Sequence, residues 1–215
     1  MTPHFSADSL PARIPVFPLA GALMLPRAEL PLNIFEPRYL AMVREAMAGD
    51  RLIGMVQPKD DHEPPALYEV GGLGRITQFS ETGDGRFLIA LVGLTRFRIS
   101  EELPVDTPYR QVVADYAPFA GDWGDPEPLP SVVRADLESS LRVYLDSQGL
   151  SADWDAVAGA DDESLINTLT SVCPFDVAEK QALLEAPALG DRASVLSALM
   201  TFAPPADADG HVTLH

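Results

Sequence analysis

Cysteine is nearly missing from this chain. Cys173 is its only one, which excludes an internal disulfide and a thiolate metal cluster. Lysine is almost as scarce, with Lys59 and Lys180 alone in the sequence. A phosphate-cradling loop of the form G-x-x-x-x-G-K-[ST] needs a lysine between a glycine and a hydroxyl residue. Lys59 follows Pro58 and Lys180 follows Glu179, so neither stands in such a loop. No apolar run reaches the roughly 18 residues of a membrane span. Met1 to Leu10 carries no basic segment leading into an apolar one, so no secretory signal is expected and the protein reads as cytoplasmic.

Positive charge is in deficit as a whole. Fifteen basic residues stand against 32 acidic ones, a formal net charge of −17. Such a surface repels phosphate backbones and anionic headgroups, so neither nucleic acid nor membrane is an expected partner. What the chain has in quantity is apolar residues, 47%, enough for a substantial core, and 20 prolines concentrated at the start and in the middle.

The pattern predicts two lobes of an α+β protein. Over residues 14–119 the texture is β-rich, with Pro15, Pro18, Pro26 and Pro31 dividing the opening into short extended pieces. One helix interrupts it. Pro37 suits a first helical turn, Tyr39, Leu40, Val43, Ala46 and Met47 recur at helical spacing, and Gly49 supplies the stop. Leu52–Val56 reads as a buried strand and 57–66 as a loop. Gly83-Asp84-Gly85 marks a turn before an apolar central strand, Arg86–Val92. After Gly93, Thr95, Phe97 and Ile99 alternate with Arg96 and Arg98, the pattern of a half-buried strand with one charged face. Gln111–Tyr116 completes an antiparallel meander. Pro118–Pro130 reads as the boundary, and 130–204 as a helical bundle lobe. Its expected helices are capped by Ser131, striped by Leu165, Ile166, Leu169, Val172 and Cys173, boxed by Asp176 and Glu179, and marked last by Val195–Met200.

Few residues offer chemistry. Asp60, Asp61, His62 and Glu63 have the composition of a metal site without the spacing of one, and read as a solvated loop. His211 and His215 have no helical support. Cys173 sits on an apolar stripe with no histidine near it in sequence, the setting of an inert buried thiol. Gly72 and Gly74 lack the third glycine and the helix of a dinucleotide fold, and suit close backbone packing. Glu36 and Arg38 read either as a ligand-binding charge pair or as a clasp at the helix start. Phe35, Tyr39, Phe79 and Phe87 read as core or as the lining of an apolar groove. No cofactor or metal is expected.

The order of short motifs is the most specific signal. Ile14-Pro15-Val16-Phe17-Pro18-Leu19 is followed by Leu25-Pro26, by Leu30-Pro31-Leu32, and by Phe35-Glu36-Pro37-Arg38-Tyr39. Then come Gly71-Gly72-Leu73-Gly74-Arg75-Ile76, Gly93-Leu94-Thr95-Arg96-Phe97-Arg98-Ile99 and Pro108-Tyr109. This succession resembles the N-terminal, substrate-recognition domain of the ATP-dependent Lon proteases. A weaker likeness extends through Glu179–Glu185 and Asp191-Arg192, so the resemblance spans about residues 14–202.

The resemblance implies a PUA-like β-barrel in the first lobe and a recognition role without catalysis. Full-length members of that family carry an ATPase and a Ser-Lys peptidase. Here no ATPase loop is present, and Lys180 has acidic neighbours, unlike the buried, deprotonated lysine that a Ser-Lys dyad requires. The expected ligand is an exposed or extended polypeptide, or a protein partner. Phe35, Glu36, Arg38, Tyr39, Val43 and Phe79 are the candidate binding residues. Two other readings stay open at this point: a regulatory adaptor of a separate Lon protease, and an enzyme with its active site in a cleft between the lobes.

Overall fold

The computed structural model describes residues 9–126 and 128–204. The chain divides into two compact units. One holds the residues up to Asp125 together with Asp176–Glu185, and the other holds Pro126–Phe175 with the residues from Ala186 onward. His211 and His215 lie outside the described residues.

The first unit is a sheet with one long helix against it. Its strands are β1 (Arg13–Pro18), β2 (Glu29–Ile34), β3 (Leu52–Val56), β4 (Val70–Glu81), β5 (Phe87–Glu102) and β6 (Gln111–Asp115), and its helix is α1 (Pro37–Ala48). The spatial order is β2-β5-β4-β3-β1-β6, and β6 pairs again with β5, so five strands form a closed hydrogen-bonding circuit with β2 outside it. β1 runs parallel to β3, with Val16 opposite Gly54, which departs from the expected all-antiparallel meander. The crossover through β2 and α1 makes this possible, because parallel neighbours need a long connection.

β3 shows why its sequence carries no polar residue. Ile53 and Met55 enter one core cluster with Met42 and Val43 of α1, while Leu52 and Val56 enter a second with Ile14, Val16 and Phe97. Both faces are covered, so both must be apolar. β5 is a single strand running through Gly93, and not two pieces, with register shifts against β4 and β6 absorbing its bends. The family-like glycines have a steric cause. A Cβ on Gly72 would lie 1.8 Å from the Met24 carbonyl oxygen, and one on Gly93 1.9 Å from that of Leu25. The segment preceding β2 thus lies directly on the β4–β5 backbone, and Arg27 N–H donates to the Gly93 carbonyl at 2.8 Å.

The second unit contains α2 (Ser131–Ser147), α3 (Trp154–Gly159), α4 (Asp162–Val172) and α6 (Leu189–Phe202). Leu137, Leu141 and Tyr144 of α2, Ile166 of α4, and Leu196 and Met200 of α6 are buried. Arg134 clasps these turns together, donating to Glu138 at 2.7 Å, Asp162 at 2.7 Å and the Val157 carbonyl at 2.6 Å. Ser131 is the first helical residue and makes no capping bond; Pro130 precedes it. Val172, expected on the buried stripe, is exposed.

α5 (Val177–Glu185) behaves unlike its neighbours in sequence. Its capping box forms as the spacing predicts, with Glu179 N–H on Asp176 and Asp176 N–H on Glu179, both at 2.8 Å. Yet it packs in the sheet-bearing unit, although its place in the chain predicts membership of the 130–204 lobe. The reason is polar. Gln57 on the sheet side donates to the Val177 carbonyl at 3.0 Å and to Gln181 at 3.1 Å, and Gln181 donates to the Val70 carbonyl at 3.0 Å. Lys180, 8% exposed, reaches the Gly21 carbonyl at 3.1 Å.

Candidate functional site

β2 is the one strand with a single hydrogen-bonded neighbour among the described residues. Pro31 sits at its middle, as suits an edge, since proline cannot donate to a ladder. Strand alternation sends Leu30 and Ile34 toward the α1 core and leaves Pro31 and Asn33 on the opposite face. There Pro31 pairs with Ala90 and Asn33 with Leu88, while Ser80 and Gln78 of β4 pair with the same two β5 residues from the other side. The result is a groove of 590 Å³ across β2, β5 and β4, with Leu88 47% exposed. The register thus turns one apolar strand outward at Leu88, which the strand's continuous apolar sequence conceals.

Of the six candidate residues, Phe79 borders this groove through β4, but it pairs with Ile89 and so turns its ring, 41% exposed, to the α1 face, where it lies tilted at 5.0 Å from buried Phe87. Phe35 follows β2 directly and is 60% exposed, with the Arg86 guanidinium 5.7 Å from its ring centre. On α1, Arg44 lies over Phe87 at 5.0 Å. Glu36 and Arg38 are half-exposed and ion-paired at 2.9 Å, and Arg38 also reaches Glu63 at 3.4 Å. Tyr39 and Val43 are buried; Tyr39 packs on Phe17 at 4.1 Å, and burial raises its phenol above the ordinary value while Arg38 opposes the shift. Four of the six therefore reach solvent and two belong to the core beneath them.

The start of α1 borders a second, smaller cleft of 250 Å³, lined by Arg38, Tyr39, Tyr109, Arg110 and the 58–65 loop. Its acidic loop is organised internally, since Asp60 accepts from the backbone N–H of His62 at 3.1 Å and of Ala66 at 3.2 Å. Arg110 is held by Glu102 at 2.6 Å and by the Pro65 carbonyl at 2.7 Å. On the far side of Tyr109, whose hydroxyl donates to Glu45, a third cleft of 420 Å³ runs between α1 and β1. Burial, then Glu45, hold the Tyr109 phenol well above its ordinary range.

Two features escape a reading of the sequence. Arg96 does not share an exposed face with Arg98. It is buried, and its guanidinium meets Asp122 at 2.8 and 3.0 Å, the Leu184 carbonyl at 3.0 Å and the Phe119 ring at 4.8 Å. A basic strand face is therefore not formed there. The other is the Gln57–Gln181 contact, which joins residues far apart in the chain. A single glutamine between Val56 and Pro58, at the end of an otherwise apolar strand, is the one hint of it in the sequence. Cys173 is buried, as its stripe implies.

Comparison with known proteins gives a consistent result. The chain is 25% identical over 187 residues to the Lon protease of Desulfosudis oleivorans, covering 84% of this chain and 22% of that protein. It is 28% identical over 202 residues to Lon protease 1 of Thermus thermophilus, covering 90% of this chain and 25% of that one. This chain thus spans about a quarter of the length of these curated relatives or less. Among solved structures, the Lon N-terminal domain protein from Xanthomonas campestris superposes with a TM-score of 0.61 at 23% identity, covering 89% of this chain and 99% of that one. The N-terminal domain of the Mycobacterium avium complex Lon protease does so at 0.64 and 17%, covering 88% and 98%. These two share the α+β fold. A model of the ATP-dependent protease La (LON) substrate-binding domain matches residues 13–201, and the chain belongs to that family.

Proposed function

We propose that this protein is a recognition module that binds exposed, extended polypeptide segments along β2, without catalysing a reaction on them. The observation that carries this reading is an open strand edge beside an apolar groove. A segment added to β2 would gain backbone hydrogen bonds from the edge and turn alternate side chains toward Leu88 on the groove face, with Phe79 on the other face of the sheet. Phe35 would extend the apolar surface past the end of β2, and the Glu36–Arg38 pair would border it. Tyr39 and Val43 would act from below, holding α1 and the strand end in place. Binding without chemistry fits the lining, in which Glu29 is the one titratable side chain, so no acid–base pair faces a ligand there. The family's name points the same way. The closed strand circuit supports a PUA-like barrel as the frame that holds this edge rigid.

Hydrogen exchange tests the proposal. With an excess of an unfolded, apolar-rich polypeptide, protection is expected at β2 and in the facing part of β5. Binding with protection confined to the clefts around Tyr109 would move the site. No binding at all would refute the proposal.

A further inference from the structure

We infer that the groove beside β2 selects cationic segments, a lysine or arginine of the bound polypeptide meeting Glu29; this rests on the polypeptide-binding reading above. Glu29 is the one charged residue lining the groove, whose other polar side chains are the neutral Asn33, Gln78 and Ser80. It is exposed, and it has no ion-pair partner among the described residues. It lies on the same face of β2 as Pro31 and Asn33, at the end of the strand opposite Val92. A segment lying along β2 would present every second side chain to this face, at intervals of about 7 Å. The fitting ligand therefore carries a basic residue at one end of an alternating apolar stretch, with the apolar side chains on Ala90 and Leu88.

The rest of the molecule reinforces that preference. Its net charge is −17. Six of its fifteen cations are engaged within the molecule: Arg38, Arg86, Arg96, Arg110 and Arg134 stand in ion pairs, and Lys180 is held on a backbone carbonyl. The outward field is that of the surplus carboxylates, which draws cationic chains in and repels acidic ones.

Three labelled, unfolded peptides with one apolar pattern and positive, zero or negative end residues test this by fluorescence anisotropy. At low salt the cationic peptide is expected to bind about 3- to 10-fold tighter than the neutral one, and the acidic peptide weakest. At about 0.5 M salt the three should converge, because the screening length falls to about 4 Å. Glu29→Gln should weaken the cationic peptide about 2- to 5-fold and leave the neutral one unchanged. Equal affinities for cationic and neutral peptides, or a Glu29→Gln effect on both alike, would overturn the inference while leaving polypeptide binding intact. If none of the three binds, the polypeptide-binding reading falls and the inference with it.

Discussion

Replacing Asp122 with alanine is expected to destabilise the sheet-bearing unit severely. Asp122 receives three donors from one residue, the backbone N–H of Arg96 at 2.8 Å, its Nε at 3.0 Å and its Nη2 at 2.8 Å. The two side chains are 8% and 4% exposed. Without the carboxylate, a guanidinium stays buried with its main counter-charge gone. Breaking a buried pair in this way costs about 3–5 kcal/mol. For a chain of this size that corresponds to roughly 6–20 °C in Tm, at about 2–4 °C per kcal/mol. Urea unfolding followed by circular dichroism measures the loss, and Trp123, beside Asp122 in sequence, gives a local fluorescence signal. The decisive control is the double change Arg96→Met with Asp122→Leu, which removes both charges. It should cost much less than Asp122→Ala alone, because no buried charge is left without its partner. A single substitution costing under about 1 kcal/mol, or a double one as damaging as the single, would refute the role of Asp122 as the buried counter-charge of Arg96.

Four further substitutions and one titration test other parts of the fold. Gly72→Ala and Gly93→Ala each drive a methyl into a backbone carbonyl and should abolish soluble, folded protein, whereas Gly83→Ala, with open space around it, should change the urea midpoint little. Leu88→Ser should weaken polypeptide binding several-fold by anisotropy while the Tm moves by only a few degrees, since the side chain is already 47% exposed. Burial raises the Tyr109 and Tyr116 phenols, so absorbance titration should show them ionising only above the ordinary tyrosine value of about 10. Their folded values lie above the unfolded value of about 10, so the stability they contribute is complete below pH 10 and is lost as pH rises beyond it.

Local features are the most legible part of the sequence. α1 begins at Pro37 and yields to Gly49 as its punctuation implies, and β3 has the expected bounds, because in both a short window already contains the determining pattern. The capping box at Asp176 and Glu179 is readable for the same reason. What α5 packs against is not. Its docking depends on Gln57 and the Val70 carbonyl, more than 100 residues away, and no periodicity encodes such a meeting. Arg96 misleads because alternation reports which face a residue is on, and not whether another segment covers that face; Asp122 and Phe119 cover it. At the candidate site, Phe35 and Phe79 can be named from sequence, but their exposure cannot. Leu88 and Glu29 escape because β5 reads as apolar throughout, and the groove exists only once β2, β5 and β4 lie side by side.

The return of α5 to the sheet has a consequence for biosynthesis. The last strand of the sheet ends at Asp115, but α5 is encoded at 177–185. At about 5–20 residues per second, several seconds separate the emergence of β6 from that of α5. For that interval Gln57, the Val70 carbonyl and Arg96 lack the partners that α5 supplies, while the chain between them is still being made. The nascent sheet therefore waits, open on one side, for a piece delivered late. A ribosome-stalled chain from which β6 but not α5 has emerged should expose that side to chaperones and proteases, and one from which α5 has fully emerged should close it.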